Sequence, residues 1–242
     1  MASPKRLARI AGVLYLLVAI FSGFAFGYVL AKVYIPGDAA TTAGNVVANS
    51  GLVRIGVVAD LFQATVWVFL AMTLYLLLKH VHQSAARAMV LLVTVGAAIV
   101  CLNDVFQFES VRVATESSYA AAFGIAGSNA LVLLLLDIQH YGTLAAQVFF
   151  GLWLAPLGYL AYRSGLFPKA LGVVLVLATV SYLADSLAAF LVPDLELQIK
   201  PFLIIAPLVG EIWMVVYLLV KGVKSGRQAD PAPVAGLVPV RP

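Results

Sequence analysis

Six long apolar runs, separated by polar segments, dominate the chain. They cover about residues 10–29, 58–77, 88–107, 142–161, 170–189 and 201–220. Each is close to the roughly 20 residues that one helical crossing of a bilayer requires. Each run must be helical, because an open backbone cannot satisfy its hydrogen bonds in hydrocarbon. The pattern predicts an all-α fold, a polytopic transmembrane bundle of six spanning helices.

Composition strengthens this prediction. Of the 242 residues, 63% are hydrophobic and 11% are charged, whereas a soluble domain has about 45–50% apolar and about 25% charged residues. Six spans leave no room for a second domain, so we expect residues 1–221 to form a single transmembrane domain. Residues 222–242 contain four prolines and are expected to form a disordered cytoplasmic tail.

Lys and Arg residues set the expected orientation. With a cytoplasmic N-terminus, 11 of them lie inside and 4 outside, which favours both termini in the cytoplasm. The first run follows three basic residues but is too long for a signal peptide, and we expect an uncleaved helix. The expected location is therefore a bacterial cytoplasmic (inner) membrane, with the lipid bilayer as a partner. The basic residues form no stripe for nucleic acid.

Two of the outer segments are long. Residues 31–52 contain the turn sequence Pro36-Gly37-Asp38, and Thr41 or Thr42 is expected to cap a short extracytoplasmic surface helix that runs through Ala48. Residues 109–141 include the apolar stretch 131–136, which is too short to span. It could lie at the interface, cover the bundle as a lid, or extend the fourth helix outward.

Polar residues inside the apolar runs are the strongest functional signal, because charge in a membrane helix costs roughly 2.5–3.5 kcal/mol on insertion scales. At 1.5 Å per residue, Asp60, Asp104, Asp185 and Gln147 fall about 21–26 Å from the inner boundary. Glu211 lies deeper, about 14 Å from that boundary and one turn after Pro207. No cationic residue shares its depth, so we expect a neutral side chain that hydrogen-bonds to Tyr182, Gln147 or a freed carbonyl.

Helical spacing places these residues on common faces, which should point away from lipid. Asp60 and Gln63 are one turn apart, and His140, Thr143, Gln147 and Gly151 form a predicted stripe. The residues proposed to line a polar pocket open to the extracytoplasmic side, with His140 and the two arginines at its mouth, are Arg54, Asp60, Gln63, Asn103, Asp104, Gln107, Arg112, His140, Tyr141, Gln147, Tyr182, Asp185 and Glu211. The competing interpretation is hydrogen bonding between helices without any ligand.

Several sequence stretches resemble one family. They are Gly151-Leu152-Trp153-Leu154-Ala155-Pro156-Leu157-Gly158-Tyr159-Leu160, Tyr162-Arg163-Ser164-Gly165, Pro36-Gly37-Asp38, Arg54-x-Gly56-x-x-x-Asp60-Leu61 and Gly210-Glu211. Together they resemble the domain of unknown function 4386 family of small bacterial six-helix membrane proteins, over about residues 5–222. The resemblance implies no activity. It implies that the family pattern has the same or similar residues at Arg54, Asp60, His140, Tyr141, Asp185 and Glu211.

Specific chemistries are weakly indicated. A metal site built from His140, Asp104 and Asp60 lacks a local ligand motif, so no metal is predicted, and the sequence identifies no cofactor. Cys101 lies in an apolar run and is interpreted as a packing thiol. Leu157–Tyr159 and Gly172 are interpreted as positions where helices pack closely.

The favoured function is the binding of a small amphipathic or lipid-like molecule in the polar pocket, and the sequence leaves open whether the protein also acts on it as an enzyme. One alternative is a proton-coupled transporter or permease. Against it, Asp60 and Asp185 do not mirror each other in depth, as inverted repeats would require. The other alternative is a non-catalytic structural or regulatory membrane subunit. The oligomeric state is not indicated.

Overall fold

The structure of the protein is a computed structural model, and it describes residues 3–224. The expected disordered tail at 222–242 lies almost wholly outside the described residues. Within residues 3–224 the secondary structure is entirely helical, which confirms the all-α prediction. In chain order the helices are α1 (Pro4–Ser22), α2 (Ala31–Val33), α3 (Ala39–Ala48), α4 (Ser50–Leu78), α5 (Gln83–Thr115), α6 (Ser117–Leu152), α7 (Leu154–Ser164), α8 (Lys169–Leu191), α9 (Pro193–Leu203) and α10 (Ile205–Val220).

The first span is one continuous rod that changes its winding. Pro4 occupies the first turn of α1, where its missing N–H costs nothing, and the Ser3 hydroxyl accepts a hydrogen bond from the Arg6 backbone N–H. A π-helical segment, Gly23–Leu30, then joins α1 to α2. The rod Pro4–Val33 contains 30 residues, ten more than the expected run.

Helix α3 is the short helix expected after the first span, and it ends at Ala48 as expected. Its cap differs from the expectation, because Asp38 occupies the capping position instead of Thr41 or Thr42. The Asp38 carboxylate accepts hydrogen bonds from the Thr41 backbone N–H at 2.9 Å and from the Thr41 hydroxyl at 2.7 Å. These hydrogen bonds lower the pKa of Asp38 below its ordinary value, and the one from the Thr41 hydroxyl has the largest effect.

The fourth span is much longer than the expected 142–161. Helix α6 begins at Ser117 and α7 ends at Ser164, with a break in winding near Trp153. Gly124 interrupts α6 with a φ of 72° and a ψ of 165°, a conformation that only glycine adopts without strain. The stretch 131–136 therefore extends the fourth helix outward, the third of the three possibilities left open by the sequence.

The sixth span also differs in detail. It was expected to begin at Pro201, but Pro201 lies inside α9, and α10 begins only at Ile205. Helices α9 and α10 together form the sixth rod, which runs from Pro193 to Val220. Six rods in residues 3–224 are long and apolar enough to cross a membrane, which confirms a multi-pass architecture.

The six rods pack in chain order and close on themselves. Helix α1 packs on α4, α4 on α5, α5 on α6, α7 and α6 on α8, and α8 on α10, and α10 returns to α1. A pair of glycines brings α7 and α8 into close contact: a Cβ on Gly158 would lie 2.7 Å from the Gly172 carbonyl oxygen. This geometry supports the interpretation of these positions as close helix-packing sites.

Buried apolar side chains form two separate clusters. The large apolar cluster contains residues of α1, α4, α5, α6, α7, α8 and α10, including Tyr15, Leu70, Leu157 and Leu175. The small apolar cluster lies where α3 packs on α5 and α6, and it consists of Val29, Leu30, Val33, Ala43, Val46, Val53, Val111, Val113, Val132 and Leu136. The candidate site lies between these two clusters.

Candidate functional site

Buried polar side chains separate the large apolar cluster from the small one. On α4, Val53 belongs to the small cluster and Ala64 to the large one. Asp60 and Gln63 of α4 lie between these two positions. On α5 and α6, residues 103–107 and Gln139 likewise lie between members of the two clusters. We call the following residues the polar layer, each between 1% and 8% exposed: Asp60, Gln63, Asn103, Asp104, Gln107, Gln139, Asp185 and Ser186.

Two carboxyl groups meet between α4 and α5. The Asp60 and Asp104 side chains are close neighbours across this helix pair, and each is 2% exposed. Gln63 follows Asp60 by one helical turn, and Gln107 follows Asp104 by one turn, so the two helices present four polar side chains in the same region. This half of the layer combines two carboxyl groups with two amides.

The α5–α6 contact fixes the position of Asn103. Its side-chain amide packs directly against Gly142 of α6, and a Cβ at position 142 would overlap it. On α6 itself, Gln139 is 1% exposed, and its Nε2 donates to the Thr143 hydroxyl over 3.4 Å. The inward stripe of α6 therefore runs through Gln139, Thr143 and Gln147, because residues four apart share a helix face.

Asp185 brings α8 to this stripe. The Gln147 Nε2 donates a hydrogen bond of 2.6 Å to Asp185 Oδ2. Ser186, the next residue, is 1% exposed. One turn before Asp185, Tyr182 packs closely on Gly151, where a Cβ would lie 2.7 Å from the Tyr182 Cβ. Glycine at 151 thus permits the approach that joins Gln147 to Asp185.

Glu211 has two tyrosine partners on two other helices. The Tyr15 hydroxyl of α1 donates to Glu211 Oε2 at 2.8 Å, and the Tyr182 hydroxyl of α8 donates to Oε1 at 2.8 Å. Tyr182 was among the three partners expected from the sequence, whereas Tyr15 was not. The carboxyl group accepts on both oxygens, so the hydrogen bonds join α1, α8 and α10.

Many polar atoms of the layer have no partner within residues 3–224. These buried atoms are Asp60 Oδ1, Gln63 Oε1, Asn103 Nδ2, Asp104 Oδ1 and Oδ2, Gln107 Nε2, Gln139 Oε1, Asp185 Oδ1 and Ser186 Oγ. Folded proteins pair nearly all such groups, since an unpaired buried donor or acceptor costs about 1–3 kcal/mol. All nine belong to the polar layer, so the layer has an unmet capacity for hydrogen bonding.

Three residues expected to line the pocket, Arg54, Arg112 and Tyr141, are not members of the polar layer. The Arg112 side chain is 40% exposed and forms ion pairs of 3.0 Å with Glu109 of α5 and with Glu116, the residue that follows α5. The Arg54 guanidinium lies 5.5 Å from the centre of the Phe108 ring. Tyr141 is 54% exposed. The partners of both arginines therefore lie outside the polar layer.

His140 is half-buried beside a polar network that sequence reasoning missed. Its ring lies 5.6 Å from that of Tyr34, and the Tyr34 hydroxyl donates to Asp137 Oδ1 at 2.6 Å. Burial, followed by this hydrogen bond, raises the pKa of Tyr34. On α9, Lys200 forms a 2.6 Å ion pair with Glu196. Lys200, expected only as an outer charge, therefore has a specific partner.

Some members of the layer could have been found from the sequence. Gln139 lies four residues before Thr143 and eight before Gln147, so it fits the same face as well as His140 does. Ser186 adjoins Asp185 but carries no charge, and a serine in an apolar helix is a weak signal. Tyr15 gave no signal at all, because a tyrosine in an apolar run is usual.

Comparison with known proteins places the chain within one family. The family described as "Domain of unknown function (DUF4386)" matches residues 10–222. An uncharacterized protein of Archaeoglobus fulgidus is 35% identical over 77 residues, which are 32% of this chain and 44% of that protein. The chain therefore spans less than half the length of that relative. No solved structure matches the chain.

Proposed function

We propose that this chain, which belongs to the domain of unknown function 4386 family, binds a small amphipathic or lipid-like molecule. The proposed binding site is the polar layer. The molecule enters from the extracytoplasmic side of a cytoplasmic membrane, and both termini are in the cytoplasm. This orientation follows from the distribution of Lys and Arg residues.

The nine unpartnered polar atoms of the layer carry this proposal. A bundle held together only by hydrogen bonds between helices would pair these groups with one another, because each unpaired group costs about 1–3 kcal/mol. A bound molecule, or water that the molecule displaces, supplies the missing partners. The concentration of all nine atoms on α4, α5, α6 and α8 makes this region the best-supported site.

The surroundings of the layer favour an amphipathic ligand. On α5, Val100 of the large apolar cluster precedes the polar residues and Val111 of the small cluster follows them. A molecule with one polar end and an apolar chain matches this sequence of environments, since small-molecule sites combine apolar walls with a few polar groups. A fully polar solute would leave part of its surface against apolar side chains.

Native mass spectrometry of the purified full-length protein tests the proposal. The protein is released from its membrane in a neutral detergent, and the intact complex is weighed. We expect a co-purified small molecule in the wild type that is lost from the double variant Asp60→Asn/Asp104→Asn. Asp194→Asn, an exposed substitution of the same kind on α9, should retain it.

Two results would contradict the proposal. One is a wild-type protein that carries no molecule and takes up none of the eight-carbon amphiphiles octylamine, octanol and octanoate. The other is a bound molecule that the double variant retains unchanged, because the ligand would then lie outside the polar layer. Circular dichroism and thermal unfolding of each variant establish that it is folded before its mass spectrum is interpreted.

A further inference from the structure

We infer that the ligand of the polar layer is a cation that donates hydrogen bonds, namely a protonated primary amine attached to an apolar chain. This inference rests on the proposed function and specifies the chemical class of the ligand. It follows from three features of the layer: the kind of atoms that lack partners, the absence of positive charge beside them in residues 3–224, and the apolar clusters on either side.

Acceptors outnumber donors among the unpartnered atoms. Four are carboxylate oxygens, which belong to Asp60, Asp104 and Asp185. Among the amides, Gln63 and Gln139 each leave an oxygen unpartnered, and Asn103 and Gln107 each leave a nitrogen. Exchanging O and N within these amides redistributes two donors and two acceptors. The ninth atom, the Ser186 hydroxyl oxygen, adds one donor, so the four carboxylate oxygens remain in excess and the layer favours a donor-rich partner.

The layer also lacks positive charge. The three ion pairs found within residues 3–224 join Arg112 to Glu109, Arg112 to Glu116, and Lys200 to Glu196. None of them involves the layer, although it contains three aspartates that are at most 8% exposed. A buried carboxylate without a cation is unfavourable by several kcal/mol. A bound ammonium group supplies the charge and three N–H donors together.

The geometry between α4 and α5 suits an ammonium head. Asp60 and Asp104 are neighbours, so one cation can contact both carboxyl groups. Gln63 and Gln107, one turn away on the same two helices, are 5% and 3% exposed and lack partners. Their amides are neutral groups that can complete the hydrogen bonding of a small head group. Residues 3–224 contain no group of three or more His, Cys, Asp and Glu side chains placed to hold a metal ion, whereas a mixture of carboxyl and amide groups suits an ammonium ion.

The two apolar clusters indicate that the rest of the ligand is an alkyl chain. The polar layer is only a few residues deep on each helix: on α5 it extends from Asn103 to Gln107. An alkyl chain that continues from the ammonium group meets the valines and leucines of one cluster within about one helical turn. Burial of the chain is favourable because it removes apolar surface from water. A simple ammonium ion lacks this contribution.

Matched eight-carbon probes test the inference. Purified full-length protein in a neutral detergent is titrated with octylamine, octanol and octanoate, and adducts are quantified by native mass spectrometry. We expect octylamine to bind at least about tenfold more tightly than octanol, because a charge-assisted hydrogen bond contributes about 1.5–3 kcal/mol. Octanoate should bind least, since it adds a negative charge to the layer.

Isosteric variants identify the site. Asp60→Asn and Asp104→Asn should each weaken octylamine binding at least about tenfold and leave octanol binding within about threefold. Asp194→Asn is the matched control and should change neither affinity. Thermal unfolding verifies that each variant is folded. If one aspartate variant does not fold, the other still tests the site.

Each contrary outcome points to a different error. Equal binding of octylamine and octanol, with both lost in Asp104→Asn, would overturn the choice of a cation but support the proposed function. A sodium adduct that depends on Asp104 and excludes octylamine would overturn the organic amine. Octylamine binding that is unchanged in both aspartate variants would refute the site. Failure of all three probes to bind to a wild-type protein that also carries no co-purified molecule would contradict the inference and the proposed function together.

Discussion

Glu211 allows a quantitative test of the hydrogen bonds that join three helices. The substitutions to compare are Glu211→Leu, which removes both acceptor oxygens, and Glu211→Gln, which preserves size and polarity. Each carboxyl oxygen accepts one tyrosine hydroxyl at 2.8 Å. Tyr15 is 2% exposed, so its hydroxyl finds no water when Glu211 is lost.

The magnitudes follow from the number of groups left unpaired. Glu211→Leu leaves two hydroxyls without partners, at about 1–3 kcal/mol each, which predicts a loss of about 2–6 kcal/mol in the free energy of unfolding. Glu211→Gln can accept from one tyrosine through its carbonyl oxygen and donate to the other through its amide nitrogen. Its cost should therefore stay below about 1.5 kcal/mol.

A double-mutant cycle with Tyr15→Phe separates the hydrogen bond from changes in packing. Leucine adds apolar surface, which alters the single-variant value by itself. Removing both partners of a hydrogen bond is nearly neutral, so the double variant Tyr15→Phe/Glu211→Leu should lose less than the sum of the single losses. We expect a coupling of about 1–2 kcal/mol.

The assay is reversible unfolding in mixed micelles of a neutral detergent and dodecyl sulfate, followed by circular dichroism. Additive losses in the cycle would show that the Tyr15–Glu211 hydrogen bond does not stabilise the bundle. A Glu211→Gln variant that loses as much as Glu211→Leu would show that the site requires an ionised carboxylate with a positive partner. Either result would refute the assignment of Glu211 as a hydrogen-bonded link between helices that glutamine can replace.

Three further predictions use positions outside the polar layer. A reporter fused after Lys79 should lie in the cytoplasm and one inserted at Gly44 should lie outside; a cytoplasmic report at Gly44 would contradict the proposed orientation. In thermal unfolding, Gly142→Ala should lose about 1–3 kcal/mol because its Cβ overlaps Asn103, whereas Gly44→Ala, in open space, should be neutral or slightly stabilising. The lowered pKa of Asp38 means that its contribution to the start of α3 is complete above the ordinary value near 4 and is lost as pH falls through the folded-state value. The protection of the α3 amides relative to their intrinsic exchange rates should therefore fall on acidification, and Asp38→Ala should show the lower protection at every pH.

The architecture could be predicted from the sequence because its cause is local. A run of about 20 apolar residues must cross the membrane as a helix whatever its neighbours are. The interruptions of these helices were not predictable in the same way. The π-helical segment after Ser22 and the break at Trp153 lie inside apolar sequence, where composition does not distinguish one helical winding from another. Such breaks rotate the helix faces and shift every later residue relative to its partners.

The candidate site was predicted in part. Asp60, Asp104 and Asp185 are buried as expected, because a charged residue on the lipid face would be costly. Arg112 was assigned to the pocket although Glu109 lies three residues before it and Glu116 four residues after it in the sequence, a spacing that already predicts local ion pairs. Partners from other helices, such as Tyr15 for Glu211, depend on the order in which the helices pack. No periodicity in a single sequence determines that order.

The contrast between paired and unpaired groups bears on the two interpretations left open by the sequence, a binding pocket and hydrogen bonding between helices. Glu211 with its two tyrosines, and Gln147 with Asp185, are groups whose short hydrogen bonds link α1, α6, α8 and α10. These hydrogen bonds are explained by their role in holding the helices together, without any ligand. The α4–α5 half is different, because Asp104 has no partner for either oxygen. The large and small apolar clusters hold these helices in place from both sides, so the bundle can keep unpaired polar atoms, and the proposed ligand would supply their partners. The two interpretations therefore apply to different parts of the bundle. Substitutions at Glu211 and at the Gln147–Asp185 pair should change stability, whereas isosteric substitutions of Asp60 and Asp104 should change binding.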